Sequence, residues 1–158
     1  MKKLFTILTC AAMFLCSCGG NKDGNGSSND SLKGKYTIDV SNAGALFESE
    51  FKSQNIPSSM LSMIVSQLDL TVEFDGQKAT VDAGTTVSML IKSATNGEYS
   101  FPMELEYKLE NDSILYLKDD DEFEKAGTII PASQGNYDKV IYRPKYKGSS
   151  VDIELQRQ

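Results

Sequence analysis

The side chains that could take part in chemistry are cysteines and carboxylates, because the 158-residue sequence contains no histidine. Without histidine, neither a Ser-His-Asp triad nor a Cys-His pair can form, and the usual zinc ligand sets are missing as well. The three cysteines, Cys10, Cys16 and Cys18, all lie near the N-terminus. The rest of the chain therefore cannot form a disulfide, and its fold must be stabilised by an apolar core.

Two carboxylates have a spacing that could serve catalysis. Glu104 and Glu106 are two residues apart, so on a strand they share one face, and paired carboxylates carry out glycoside hydrolysis. Both belong to the polar set of an alternating segment, so we expect both to point into solvent. The sequence thus predicts that the protein is not an enzyme.

An acidic run could offer oxygen ligands to a metal ion. Asp119-Asp120-Asp121-Glu122, followed by Glu124, has the ligand type that calcium prefers but lacks the alternating spacing and the glycine of a calcium loop. A solvated acidic turn is the prediction here. The chain also has no glycine-rich phosphate loop and no dinucleotide-binding fingerprint, so we expect neither a metal nor a cofactor.

The first 17 residues have the organisation of an export signal. Lys2-Lys3 precedes an apolar run over 4–15, which is shorter than the roughly 20 residues of a membrane-spanning helix but typical of a signal peptide. The following Leu15-Cys16-Ser17-Cys18 resembles the lipobox of bacterial lipoproteins, which implies cleavage before Cys18 and attachment of lipid to its thiol. The alternatives are a buried N-terminal helix, which the polar residues after Cys18 disfavour, and a conventional secretory signal, which lacks its A-x-A site.

Cleavage would leave a chain with a lipid anchor and a polar tether. Loss of two lysines would change the formal net charge from −6 to −8, which disfavours nucleic acid as a partner. Residues 18–31 contain no large apolar side chain, and they predict a flexible tether with a reach of roughly 20 Å. The lipobox resemblance implies attachment to the cell envelope, with the outer membrane as the expected site and the periplasmic or surface face left open.

Residues 32–158 predict one domain in which apolar and polar residues alternate with a period of two, as in half-buried strands. The apolar members of the first predicted strands are Tyr36, Ile38 and Val40, then Leu68, Leu70, Val72 and Phe74, then Ala79 and Val81, then Val87, Met89 and Ile91, then Tyr99, Phe101, Met103, Leu105, Tyr107 and Leu109. Later strands are predicted at 114–117, 129–130, 137–146 and 151–155. Turns are predicted at Asp75-Gly76, Asn96-Gly97, Asn111-Asp112 and 119–122.

A pair of short amphipathic helices is predicted after the first strand. The first begins after Ser41 or Asn42, ends near Gln54, and carries Leu46, Phe47 and Phe51 on one face. The second begins at Pro57 and carries Met60, Leu61, Ile64, Val65 and Leu68. Seven to nine antiparallel strands with one apolar face stay soluble most simply by closing into a barrel. We therefore predict a mainly β, antiparallel up-and-down barrel with a two-helix insertion after strand 1.

The order of these elements resembles the calycin superfamily, which comprises the lipocalins and the fatty-acid-binding proteins. Leu32-Lys33-Gly34-Lys35-Tyr36 resembles the opening of the first lipocalin strand, with Tyr36 where the family usually has tryptophan. The resemblance implies a lipocalin-like barrel over 32–158, with a cavity for a small apolar ligand or lipid entered beside the helices. The family's Arg-x-Tyr carboxylate clamp is not carried over, because Arg143 should face solvent when Tyr142 faces inward.

Seven aromatic residues are the candidates for lining that cavity, with tyrosine hydroxyls as its few polar contacts. They are Tyr36, Phe74, Tyr99, Phe101, Tyr107, Tyr116 and Tyr142. The alternative is a barrel filled by its own side chains, since about eight strands enclose just enough space for them. In that case the outer surface or the tether would bind another envelope protein, and no ligand would be carried.

Overall fold

The computed structural model describes residues 29–39, 41, 63, 66–94, 97, 100–119, 121–144 and 151–158. These residues form an antiparallel barrel in which each strand pairs with the next and the last pairs with the first. The strands are β1 (Gly34–Asp39), β2 (Leu70–Phe74), β3 (Lys78–Asp82), β4 (Met103–Glu110), β5 (Ile114–Asp119), β6 (Glu122–Ser133), β7 (Asn136–Pro144) and β8 (Ile153–Arg157). A helix, α1 (Gly84–Ala94), lies between β3 and β4, and a 3-10 helix (Asn29–Leu32) precedes β1. The predicted mainly β, up-and-down barrel is confirmed.

Alternation along each strand places one set of side chains inside the barrel. In β2, Leu70, Val72 and Phe74 are buried while the residues between them are half-buried or exposed. In β4, Tyr107 and Leu109 are buried and the glutamates and lysine between the apolar residues are exposed. The inward sets of all eight strands contribute to one hydrophobic core, which includes the fully buried Tyr36, Leu109, Val140 and Ile153.

The predicted hairpins depend on residues suited to tight turns. At Asp75-Gly76 the glycine has a φ of +105°, and the Asp75 carboxylate accepts hydrogen bonds from the backbone N–H of Lys78 at 2.6 Å and of Gln77 at 2.7 Å. These bonds lower the pKa of Asp75. Between β4 and β5, Asn111 and Asp112 have φ values of 51° and 56°, a backbone conformation that these two residue types tolerate best among non-glycine residues.

The segment with Val87, Met89 and Ile91 is a helix, so its prediction as a strand was wrong. Val87 and Ile91 are buried and packed with the half-buried Leu90, which is the spacing of a helix face, whereas Met89 is 65% exposed. Three apolar residues at alternate positions fit a strand with a period of two. They fit equally well a helix in which the middle one, a methionine, is exposed. Gly97, with φ +82°, donates its N–H to the carbonyl of Lys92 at 2.7 Å and so satisfies a carbonyl at the C-terminal end of the helix.

The 3-10 helix closes one end of the barrel, which we call the plugged end. Leu32 is fully buried there. The side-chain amide of Asn29 donates to the carbonyls of Gly76 at 2.9 Å and Tyr107 at 3.3 Å, and its oxygen accepts from the N–H of Leu109 at 2.8 Å. Residues 29–31 were predicted as part of the flexible tether, and that boundary was wrong. These residues bury no apolar side chain of their own, but the hydrogen bonds of the Asn29 amide attach them to the barrel.

Replacing Asn29 with alanine should loosen the plugged end. The variant loses three hydrogen bonds to β4 and to the Asp75-Gly76 hairpin, which should lower the free energy of unfolding by about 1–2 kcal/mol. Urea titration monitored by circular dichroism measures the change. Ser31→Ala is the matched control, because the Ser31 hydroxyl donates to Asp112 at 3.3 Å in an exposed position and otherwise interacts with the Tyr137 side chain, away from the bonds that Asn29 makes. Equal stability of the two variants would show that Asn29 does not hold the plug.

The opposite end of the barrel carries the longer connections, and we call it the helix end. The β3–β4 connection with α1 leaves the barrel there, as do the connections from β1 to β2 and from β7 to β8. Val87 and Ile91 of α1 join the core from this side. The predicted helix pair lies mostly outside the described residues, as do the signal segment 1–17, Cys18 and tether residues 19–28.

Candidate functional site

The barrel interior contains a cavity of about 50 Å³. Side chains from all eight strands line it, namely Ile38, Val72, Phe74, Ala79, Val81, Leu105, Leu115, Leu117, Ile129, Tyr142, Ile153 and Leu155. None of them carries a charge at neutral pH, and only Tyr142 has a polar side-chain atom. The described lining of the cavity is therefore almost entirely apolar.

Three of the predicted aromatic residues pack against one another toward the plugged end of the barrel. Phe74 meets Tyr36 with ring centroids 5.9 Å apart and Tyr107 with centroids 5.0 Å apart, both in edge-to-face geometry. The Tyr107 hydroxyl donates to the backbone carbonyl of Asn29 at 3.1 Å, which ties these rings to the plug. Only Phe74 of the three lines the cavity. Tyr36 and Tyr107 pack against the ring of Phe74 without lining the cavity themselves.

Arg157 holds β8 to the start of β1, and the sequence reasoning missed it. Its Nη1 donates to the carbonyl of Lys33 at 2.7 Å, its Nη2 donates to the Tyr36 hydroxyl at 2.8 Å, and the guanidinium lies 5.1 Å from the Tyr36 ring centroid. Its Nε lies 3.3 Å from an Asp138 oxygen, in an orientation that makes an ion pair rather than a hydrogen bond. Burial raises the pKa of Tyr36, so its hydroxyl stays neutral beside the arginine.

The signal that could have identified Arg157 is a glycine. A Cβ placed on Gly34 would lie 3.0 Å from Nη1 of Arg157, so the guanidinium occupies the space beside the first strand that a side chain would need. In the sequence, Gly34 stands out only as part of the resemblance of residues 32–36 to the first lipocalin strand. In the structure, the missing side chain of Gly34 leaves room for the guanidinium of Arg157, which joins β8 to β1.

Among the described residues that line the cavity, Tyr142 supplies the one polar side-chain atom. Leu115 of β5 pairs with Gly127 of β6, and Tyr116 pairs with Lys125, so Ala126 is the extra residue of a β-bulge in β6. The Tyr142 hydroxyl donates to the carbonyl of Ala126 at 3.0 Å within the buried interior. Burial raises the pKa of Tyr142 well above that of a free tyrosine, so the hydroxyl remains protonated and engaged with the bulge.

Tyr116 faces outward, and the prediction that it lines the cavity was wrong. Its neighbours Leu115 and Leu117 are buried and line the cavity, so Tyr116 lies on the opposite face of β5. Its hydroxyl donates to Glu110 at 2.6 Å, and the ammonium of Lys108 lies 4.8 Å from its ring centroid. In an apolar run of four residues the alternation gives no inward set, which is why the sequence did not separate it from its neighbours.

The other two candidates contribute less to the described site. Phe101 is half-buried and packed against the core, just before β4 begins. Tyr99 lies outside the described residues. Most of the lining is aliphatic, and sequence reasoning singled out aromatic residues instead. The inward sets of the predicted strands already contained Val72, Ala79, Val81 and Leu105.

The charged candidates lie outside the barrel. Glu104 and Glu106 are exposed and pair with Lys78 at 2.8 Å and with Lys118 at 3.0 Å, so their predicted outward orientation is confirmed. Arg143 is also exposed, as predicted, and binds Asp152 at 2.7 Å. Asp120 of the acidic run lies outside the described residues. In the part of the chain that the structure describes, no group of three acidic residues is placed to hold a metal ion.

Comparison with known proteins gives no relative. No protein-family model matches the chain, and no curated protein or solved structure matches it either. Among the described residues, no helix is long and apolar enough to cross a bilayer.

Proposed function

We propose that the protein is a lipoprotein anchored to the cell envelope through lipid on Cys18, whose lipocalin-like barrel binds a small apolar ligand or part of a lipid. The observation that carries the proposal is the apolar cavity to which all eight strands contribute. The plugged end closes it on one side. The helix end, where α1 joins the core and the β1–β2 connection with the predicted helix pair leaves the barrel, is the proposed entrance.

The cavity volume sets the size of the ligand. An engineered apolar cavity of about 150 Å³ binds benzene, and pockets for drug-sized ligands measure roughly 300–1,000 Å³. At about 50 Å³ this cavity accommodates an atom or group smaller than benzene. A longer ligand, such as an acyl chain, must enlarge the space by displacing side chains at the helix end.

Titration with neutral apolar probes tests ligand binding. The protein for this test begins at residue 18 and carries Cys18→Ala, so it retains every described strand and the plug. Xenon and short alkanes should give saturable shifts of the Ile129, Ile153 and Leu155 methyl resonances, because these side chains line the cavity. Ala79→Leu fills the cavity from the inner face of β3 and should abolish the shifts.

Thr80→Leu is the matched control, since it adds the same side chain to the next residue, which alternates to the other face of β3. It should leave the probe-induced shifts unchanged. Absence of any saturable shift in the unsubstituted barrel would remove the ligand-binding proposal.

The anchor has its own test. In the full chain, Cys18→Ala should prevent lipid attachment and leave the protein unprocessed or absent from the detergent-extracted membrane fraction, as immunoblotting of cell fractions would show. Cys16→Ala is the control and should be processed normally. A mature, membrane-bound form of the Cys18→Ala protein would contradict the lipidation of this residue.

The small cavity volume favours a second candidate, in which the barrel is filled by its own side chains and binds another envelope protein. The outer face of β4–β6 offers one surface for this, where Lys108 lies 4.8 Å from the Tyr116 ring centroid and 5.3 Å from that of the exposed Phe123. Crosslinking in intact cells from position 123 should then yield a discrete adduct, while the methyl resonances of the interior stay unchanged by apolar probes.

A further inference from the structure

The lining residues that the structure describes offer no charge to a ligand. Among them the one polar side-chain atom is the Tyr142 hydroxyl, which already donates to the carbonyl of Ala126 at 3.0 Å. Because a hydroxyl has a single proton to donate, Tyr142 cannot hydrogen-bond a ligand carboxylate without giving up the bulge carbonyl. The remaining lining side chains are hydrocarbon.

The cations of the described barrel are placed away from this space. The sequence has two arginines. Arg157 is held at the plugged end by Lys33, Tyr36 and Asp138, and Arg143 binds Asp152 on the outer face. The chain has no histidine, and none of the described lysines lines the cavity. A carboxylate entering the cavity would therefore lose its hydration without meeting a compensating charge.

We infer that the barrel interior selects neutral hydrocarbon groups and excludes their ionised analogues. This inference rests on the proposed ligand-binding function and narrows its ligand class. A molecule with an acidic head group binds by its apolar tail, and the head group stays at the helix end in contact with water. The selectivity comes from the absence of a partner for charge among the described lining residues rather than from size, so it persists when the cavity is enlarged.

A matched pair of probes tests the inference in an enlarged cavity. Leu117→Ala removes a buried side chain of the lining and should admit an aromatic ring, and Leu155→Ala is the second variant in case the first does not fold. Benzene should produce saturable shifts of the Ile129 and Ile153 methyl resonances at neutral pH. Benzoate, which has the same ring with an ionised carboxylate, should bind at least about 100-fold more weakly.

The outcomes separate the two proposals. Binding of benzoate with an affinity close to that of benzene would overturn the selectivity and leave ligand binding in place. No binding of benzene to the enlarged variants, together with no binding of xenon to the unsubstituted barrel, would overturn ligand binding itself. Binding of benzene alone supports both.

Discussion

Raising the pH from 10 to 12 should unfold the barrel. Burial raises the pKa of Tyr36, Tyr137 and Tyr142, and raises that of Tyr107 to about 12 from a usual value of 10.0. The stability that these neutral hydroxyls contribute is fully present below pH 10, where the unfolded chain also keeps its phenol protons, and is lost as the pH rises through the folded-state values. Each such tyrosine can lower the free energy of unfolding by about 1.4 kcal/mol per pH unit in that window.

Urea titrations at several alkaline pH values, with phenolate absorbance recorded alongside, measure this dependence. Tyr142→Phe should make the slope shallower, because it removes a hydroxyl that is buried in the interior. Tyr116→Phe is the matched control and should change the slope less, because that ring lies on the outer face, where its hydrogen bond to Glu110, more than burial, raises its pKa. A barrel that stays folded at pH 12 with its phenols ionised would show that these side chains are not sealed from water.

Replacing Gly127 with alanine should destabilise the protein by about 3 kcal/mol. The added Cβ would lie 2.5 Å from the carbonyl oxygen of Arg143, 2.6 Å from a ring carbon of Tyr142 and 3.0 Å from the Cα of Pro144. Two of these three atoms belong to the backbone of β7, so they cannot move aside as the end of a flexible side chain can. The remaining atom is the ring carbon of Tyr142, whose hydroxyl donates to the carbonyl of Ala126, so the substitution should also disturb the bulge.

Thermal and urea unfolding measure this effect, and Gly84→Ala is the matched control. Gly84 has a φ of +68°, and no described atom lies within 4 Å of the position that an added Cβ would take. Its substitution therefore costs only the strain of the left-handed backbone, about 1–2 kcal/mol. If Gly127→Ala proves no more harmful than Gly84→Ala, β6 and β7 do not approach each other as closely as these distances require.

Most of the barrel could be predicted because burial of one strand face imposes a period of two. This pattern predicts the strands with five or more alternating residues, such as β2 and β4. The α1 segment was misassigned because its three alternating apolar residues fit a helix with one exposed methionine equally well. Residues 29–31 were misassigned because hydrogen bonding by Asn29, and not apolar content, attaches them to the barrel.

The candidate site was predictable in its apolar character and not in its polar exceptions. Phe74 and Tyr142 were expected on the cavity wall and lie there. The orientation of Tyr116 depends on the register of an unbroken apolar run, which composition does not determine. The roles of Arg157 and of the Ala126 bulge depend on contacts between strands that are far apart in sequence, and no local pattern reports such contacts.

Closure of the barrel has a consequence for the order in which the protein folds. The strand pair that completes the ring joins Tyr36 to Arg157, and these two residues are 121 positions apart in the chain. Contacts of such long sequence separation form late and slow the folding of β-barrels relative to helical proteins. As the chain folds, β1 can pair with β2 early, but its other edge stays open until residues 153–157 reach it. The guanidinium of Arg157 thus reaches Tyr36 only in the last step of assembly.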